Sequence, residues 1–320
     1  MMKWEKFGRI FDPNDYQLPD NSKEFAQSPQ TLVFDDFIRI YFSTRAVEST
    51  GMFISNIAYV DFSKDLKKVI GVSNNTVIPL GELGTFDEHG IFPINPIKDG
   101  ERILAYTCGW SRRVSVSVET SIGLVYSDDN GNTFKRLGPG PILSSSINEP
   151  VLVGDGFVQK FNKTYFMWYI FGKTWIKATD SEPPARVYKI AYATSLDGIN
   201  WDKVEAKQIV SDVIDENECQ ALPTVLEHNG IYHMVFCFRH ASDFRTNPKR
   251  GYKLGYAYSK DLKNWIRDDE KLSFSLPDEG WDSEMMCYPH LFKVDDQLFL
   301  LYNGNNFGRY GFGAAKLVSI

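Results

Sequence analysis

The chain has 320 residues, including 7 Trp, 16 Tyr and 23 Phe, and is 43% hydrophobic and 24% charged. That balance can bury a large core and excludes a disordered or collagen-like chain. Acidic residues outnumber basic ones by 41 to 35, a net charge of −6, so no basic excess exists to neutralise a phosphate backbone and nucleic acid is not an expected partner. The charges of the first six residues have no apolar stretch behind them, so no signal peptide is expected. The longest apolar runs, such as 165–171, fall far short of a membrane span. Cys108, Cys219, Cys237 and Cys287 lie far apart without a C-x-x-C pair. They read as buried free thiols in a reducing compartment, and a cytoplasmic protein is the expectation.

Taken in chain order, residues 4–10 form a strand-like opening with no partner nearby. Pro29 then precedes a short apolar strand, followed by β-type runs at 37–42 and 56–60 and by Phe62-Ser63-Lys64-Asp65-Leu66. The pattern returns with Pro93, runs at 102–106 and 122–126, and Ser127-Asp128-Asp129 leading to Phe134. In the third round Gly156-Phe157 replaces the proline, with runs at 164–169 and 189–193 and Ser195-Leu196-Asp197 leading to Trp201. The fourth has Pro223, 231–236, 253–258 and Ser259-Lys260-Asp261 leading to Trp265. The fifth has Pro289, 297–302 and 311–317 and then ends. The four serines are spaced 64, 68 and 64 residues apart.

The shared S-x-D-x-x-x-x-W/F form resembles the Asp box of sialidases and other propellers. Its Asp accepts backbone N–H bonds in a tight turn, and its aromatic fills the gap between sheets. Five units of about 64 residues account for the chain. The expected fold is all-β: a five-bladed β-propeller of four-stranded antiparallel blades forming a single domain over 1–320. The last blade stops after its third strand, so the opening segment supplies the fourth and removes the free edge.

In such blades the start of strand one and the end of strand two share a rim of the central channel. Upstream of the prolines, Glu24, Glu88, Glu218 and Glu284 each stand five residues before Pro29, Pro93, Pro223 and Pro289, and Asp87-Glu88-His89 forms a cluster. In blade three Glu149 and Asp155 bracket the equivalent place. After strand two come Arg45, Arg112 and Arg113, Lys173, Arg239-His240 with Arg245, and Asn303 with Arg309. Paired carboxylates beside aromatic faces are what glycoside cleavage needs, one donating a proton and one activating or acting as the nucleophile. The recurrence also has a structural reading, in which blade geometry favours a carboxylate there and the histidines are satisfied channel residues.

The pattern resembles the arabinanase, levansucrase and invertase superfamily of five-bladed propellers, including glycoside hydrolase families 32, 43 and 130. The cues are Glu218-Cys219 before strand one of blade four, and Leu301-Tyr302-Asn303-Gly304 with the 311–315 run in blade five. The resemblance implies a carboxylate base or nucleophile from blade one, an orienting Asp from blade two and a Glu acid from blade three. Here blade one reads Gln27-Ser28-Pro29 in place of Asp-Pro. The nearest matches to the other roles are Asp87 or Glu88, and Glu149 or Asp155. The resemblance also implies a role in bacterial surface-polysaccharide metabolism.

The resulting expectation is a carbohydrate-active enzyme acting on a saccharide or sugar-phosphate ligand. Glu88, Glu149, Glu218, Glu284 and Asp87 are the catalytic candidates. Arg45, His89, Arg239, His240, His290, Asn303 and Arg309 are the substrate-binding candidates. No metal-ligand spacing or dinucleotide fingerprint is present, so no cofactor is expected. The alternatives are a saccharide-binding propeller without activity and a glycoside phosphorylase. Two carboxylates facing each other across the funnel at roughly 5–10 Å would mark a glycosidase.

Overall fold

The computed structural model describes residues 1–177 and 183–320. Strand β1 (Lys3–Phe11) opens the chain. Blade 1 follows as β2 (Gln27–Val33), β3 (Phe37–Val47), β4 (Phe53–Ser63) and β5 (Val69–Val72). Blade 2 comprises β6 (Ile91–Asp99), β7 (Arg102–Arg112), β8 (Val118–Ser127) and β9 (Lys135–Arg136). Blade 3 comprises β10 (Val153–Phe161), β11 (Thr164–Ile176), β12 (Ala185–Ser195) and β13 (Asp202–Lys203). Blade 4 comprises β14 (Cys219–His228), β15 (Ile231–Arg239), β16 (Lys253–Ser259) and β17 (Ile266–Arg267). Blade 5 has β18 (Cys287–Val294), β19 (Gln297–Asn303) and β20 (Phe312–Ser319). The sheet orders give five four-stranded antiparallel blades, the last running β1-β20-β19-β18.

The expected ring closure is therefore present. Lys3 pairs with Ser319 at one end of the seam and Phe11 with Phe312 at the other. The closure depends on close backbone approach at Gly311, where a Cβ would lie 1.8 Å from the Phe11 carbonyl oxygen. The middle strands are apolar over most of their length because neighbouring blades cover both faces. In β11, residues Tyr165 to Phe171 are all buried. The Asp-box aromatics form the joints between blades. Phe134 packs edge-on against Tyr41, Trp201 against Tyr106 and Trp265 against Trp168, each reaching the preceding blade. Phe134 is buried, whereas Trp201 and Trp265 are half-buried. Asp197 and Asp261 each accept from the side-chain amide of Asn200 or Asn264 and from two backbone N–H groups at 2.8–3.0 Å, which together hold both carboxyls well below the usual range.

The first strands of the five blades line the axis, and every one carries a bulge. The register shifts between Gln27 and Gln30, Ile91 and Ile94, Gly154 and Phe157, Ala221 and Thr224, and Cys287 and His290. The proline landmarks lie inside these bulges, not ahead of the strands as the sequence reading had them. An inner strand is an edge strand, so a proline there removes no ladder donor. The residue before the landmark is left-handed in four blades: Ser28, Asp155, Leu222 and Tyr288, with φ of 49–54°. In blade 2 the Phe92-Pro93 peptide is cis. Polar side chains on the axis satisfy the freed backbone: Thr31 N–H donates to His290 Nε2, Val158 N–H to Asn95 Oδ1, and Leu291 N–H to Thr224 Oγ1.

Candidate functional site

The carboxylates upstream of the inner strands meet cations of their own blade's outermost strand. Asp87 accepts from Arg136 Nη2 at 2.6 Å and Nε at 2.8 Å. Glu149, fully buried, pairs with Lys203 at 2.8 Å and accepts from Tyr169 Oη and the Ala206 N–H, each at 2.9 Å. Glu218, also fully buried, accepts from Arg267 at 2.6 Å, from Gln220 at 3.0 Å, and from the Val213 and Ile214 N–H groups. Blade 5 repeats the arrangement with Asp282, 3.7 Å from Lys6 and accepting from Tyr302 Oη. In blade 1, Asn56 donates to Ser22 in the neighbouring position. These contacts clamp the loop entering each of blades 2 to 5 to the blade's outer edge.

The remaining carboxylate candidates also lie outside the central cavity. Glu88 is half-buried and accepts from the Gly84 N–H at 3.1 Å. Glu284 is exposed, and its own N–H donates to Asn305 Oδ1.

The cavity occupies one end of the axis and has a volume of about 420 Å³. The bulges aim three residues into it, Phe92, Asp155 and Tyr288. The rim segments add Arg45, Trp110, Arg186, Arg245 and Arg309, with the aromatic faces of Phe25, Phe53, Tyr188, Tyr252 and Phe307. Asp155 is the one carboxylate among the described lining residues, against four arginines. Of the residues singled out in the sequence, Arg45, Asp155, Arg245 and Arg309 line the cavity, and Asp87, Glu88, Glu149, Glu218 and Glu284 do not.

The other candidates act around this space. Arg239 is 3% exposed and stacks 3.5 Å from the Phe244 ring. It donates to Tyr188 Oη at 2.8 Å, and that hydroxyl lies 2.6 Å from Tyr252 Oη, so Arg239 orients two lining phenols from behind. His89 stacks on Trp110 with centroids 5.6 Å apart and accepts from the Arg112 N–H. His290 is an axial residue bonded to Thr31, and burial pushes its pKa down to about 3, so it stays neutral. His240 is half-buried, its backbone oxygen accepts from Arg239, and burial lowers its pKa. Asn303 is fully buried and ties the Ser28 N–H to the Ala26 and Gly311 carbonyls.

Burial pushes the Asp155 carboxyl up to about 7, against the opposing Arg186 charge and the Leu222 N–H. A carboxyl poised there exchanges a proton near neutrality. Cys108 also lines the cavity, but burial raises its thiol to about 12, so it is no thiolate nucleophile. Among the described residues no group of three His, Cys, Asp or Glu side chains is placed to hold a metal ion. Among the lining residues that the sequence reading did not select are Arg186, Tyr188, Tyr252 and Tyr288. The residue before each proline was the available signal for Tyr288.

No family model matches the chain. Among solved structures, the chain resembles a glycoside hydrolase with a TM-score of 0.73 and 16% identity, covering 98% of this chain and 92% of that one. It also resembles an endo-arabinase from Bacteroides thetaiotaomicron (TM-score 0.62, 14% identity, 94% and 98% covered). A third likeness is to a structure from the family 130 mannoside phosphorylases, which contain glycoside hydrolases that target β-1,2-mannosidic linkages in Candida mannan (TM-score 0.68, 13% identity, 98% and 93% covered). Two uncharacterized proteins of Mycobacterium tuberculosis, from two strains, are each 31% identical over 316 residues, covering 99% of either chain. The protein therefore belongs to the family of these mycobacterial proteins and has the five-bladed propeller fold found in glycosidases of families 43 and 130.

Proposed function

We propose that the protein is a carbohydrate-active enzyme that binds a negatively charged saccharide in the central cavity and breaks a glycosidic bond, with Asp155 as the acid. The observation that carries this reading is the lining itself: aromatic faces for sugar rings, four arginines, and one buried carboxylate near pKa 7. Protonated Asp155 would give its proton to the departing glycosidic oxygen as the C–O bond breaks. The acceptor attacking the anomeric carbon would be water or a phosphate oxygen. Hydrolysis in the common form uses a second carboxylate on the other face of the sugar. No second carboxylate is found among the described lining residues. That observation favours a second reading, saccharide binding without turnover.

Asp155→Asn separates the two, because it keeps the shape of the side chain and removes its titrating proton. A glycan panel is read by thermal shift for binding and by product release for turnover. The enzyme reading expects wild-type turnover that Asp155→Asn abolishes while the ligand still raises the melting temperature. Turnover retained in the variant would refute the assignment of Asp155. Binding without turnover in both proteins would establish the second reading. Four buried free thiols fit a reducing compartment, so the proposed location is the cytoplasm.

A further inference from the structure

We infer that the charged group on the saccharide is a phosphoryl group, held where Arg45 from blade 1, Arg245 from blade 4 and Tyr288 from blade 5 converge. This inference rests on the reading of the cavity as a saccharide site and specifies the class of its ligand. Two contacts bring the arginines together. Arg45 Nε donates to Gln27 Oε1, and the same Gln27 amide donates through Nε2 to the carbonyl of Phe307, at 2.6 Å. Arg245 stacks on that Phe307 ring, its Cζ 5.0 Å from the centroid. The pair thus flanks one Gln27–Phe307 junction at the cavity wall.

Their electrostatics agree with this placement. Burial and the neighbouring Arg245 charge lower the Arg45 pKa, against the influence of the Tyr288 phenol, and Tyr288 in turn feels Arg245.

Aromatic rings cover the guanidinium faces and leave the in-plane donor edges available. Arg45 lies over Phe25 at 4.4 Å, and Arg245 over Phe244 at 4.9 Å. Among the described residues neither arginine has a carboxylate within 4.0 Å, whereas Arg309 beside them is held bidentately by Glu24. Asp155, the lining acid, feels the charge of Arg186. Two like charges held together without an acid are balanced by a group carrying two negative charges. A phosphate monoester meets that need and presents oxygens to both guanidinium edges. A sugar carboxylate carries one charge and leaves one arginine uncompensated. The chain as a whole carries a net charge of −6, so the positive patch is local to the cavity.

The test uses the full chain with inorganic phosphate, glucose 1-phosphate, glucose 6-phosphate, glucuronate and glucose, by calorimetry and thermal shift at low salt. Arg245 is exposed and among the described residues makes only ring contacts, so Arg245→Ala should fold, and its unliganded melting curve checks this. Inorganic phosphate and at least one phosphate ester are expected to bind, with the ester at least about 10-fold tighter than glucuronate. Arg245→Ala is expected to weaken both phosphate ligands by about 10-fold or more, to weaken glucuronate less than either, and to leave glucose within about 2-fold. Arg45→Lys serves as a second variant that keeps the charge and loses the bidentate fork.

Glucuronate or glucose binding as tightly as the esters would overturn the phosphoryl assignment and leave the saccharide site standing. Inorganic phosphate binding while no sugar adds affinity would support the clamp and overturn the saccharide reading. No binding by any probe would overturn both.

Discussion

Glu218 is a fully buried carboxylate tied to four partners, and its replacement has a calculable consequence. Glu218→Ala removes a fully buried carboxylate that accepts from Arg267 at 2.6 Å, Gln220 at 3.0 Å, Val213 N–H at 2.9 Å and Ile214 N–H at 3.0 Å. The Arg267 side chain is itself only 3% exposed but keeps Asp269 at 2.9 Å and the Ser211 carbonyl at 2.7 Å. Because Asp269 still compensates the arginine, the loss should stay within the range for a broken buried pair, about 3–5 kcal/mol. The two orphaned N–H groups set the upper end unless water reaches them. Unfolding entropy near 2.1 cal/mol/K per residue over 320 residues gives roughly 0.7 kcal/mol/K. The melting temperature should therefore fall by about 4–7 °C. Glu284→Ala is the matched control, since that side chain is exposed and its loss should stay within about 0.5 kcal/mol. Scanning calorimetry on both variants decides the matter. A Glu218→Ala protein that melts within about 1 °C of wild type would refute the clamp.

Three further outcomes are expected. Removing residues 1–11 deletes β1 and the Lys6–Asp282 contact, so the truncated chain should melt far below the full one or fail to remain in solution; an unchanged melting curve would defeat the closure argument. Trp265→Ala removes the packing on Trp168 and the Nε1–H bond to the Leu262 carbonyl, and should cost about 3 kcal/mol in a denaturant titration, whereas a loss under about 1 kcal/mol would mean the joint carries little. Asp155 has a folded pKa of about 7 above its ordinary 3.8, so its protonated form contributes stability that is complete below the ordinary value and lost as pH rises through about 7. Asp155→Asn should then gain on wild type by up to about 4 kcal/mol between pH 4 and 8, and parallel pH profiles for the two proteins would exclude the raised pKa.

Much of the fold was legible because a propeller repeats its errors and its successes together. The Ser195–Asp197–Trp201 turn and its relatives fix the spacing of the blades, and four local matches at about 64 residues outweigh any ambiguity within one strand. The seam between β1 and β20 followed from counting strands, since a blade with three leaves a hydrogen-bonding edge exposed. The sequence places the proline landmarks ahead of the inner strands, whereas the strands begin two to four residues before them. A proline usually ends or precedes a strand, and only the inner-edge position, where its missing N–H costs no ladder bond, lets Pro29, Pro223 and Pro289 sit within one.

The site was less legible, and the clamp explains why. Asp87, Glu149 and Glu218 recur at nearly the same place in the repeat, as catalytic carboxylates drawn from successive blades would. Their partners recur as regularly: Arg136, Lys203 and Arg267 each stand two residues after the Asp-box aromatic, Phe134, Trp201 and Trp265. A carboxylate and a cation that repeat in step, once per blade, belong to the architecture, because a single site on the axis has no use for identical pairs at several angles around it. On the proposed reading, the positions that vary from blade to blade carry the chemistry instead. At the residue before the landmark the five blades present Ser28, Phe92, Asp155, Leu222 and Tyr288, held by bulges that turn three of these side chains into the cavity. Symmetry in the backbone with asymmetry in the side chains gives a ring of equivalent blades one unsymmetrical cavity, and Asp155 is the one carboxylate among the described residues that line it.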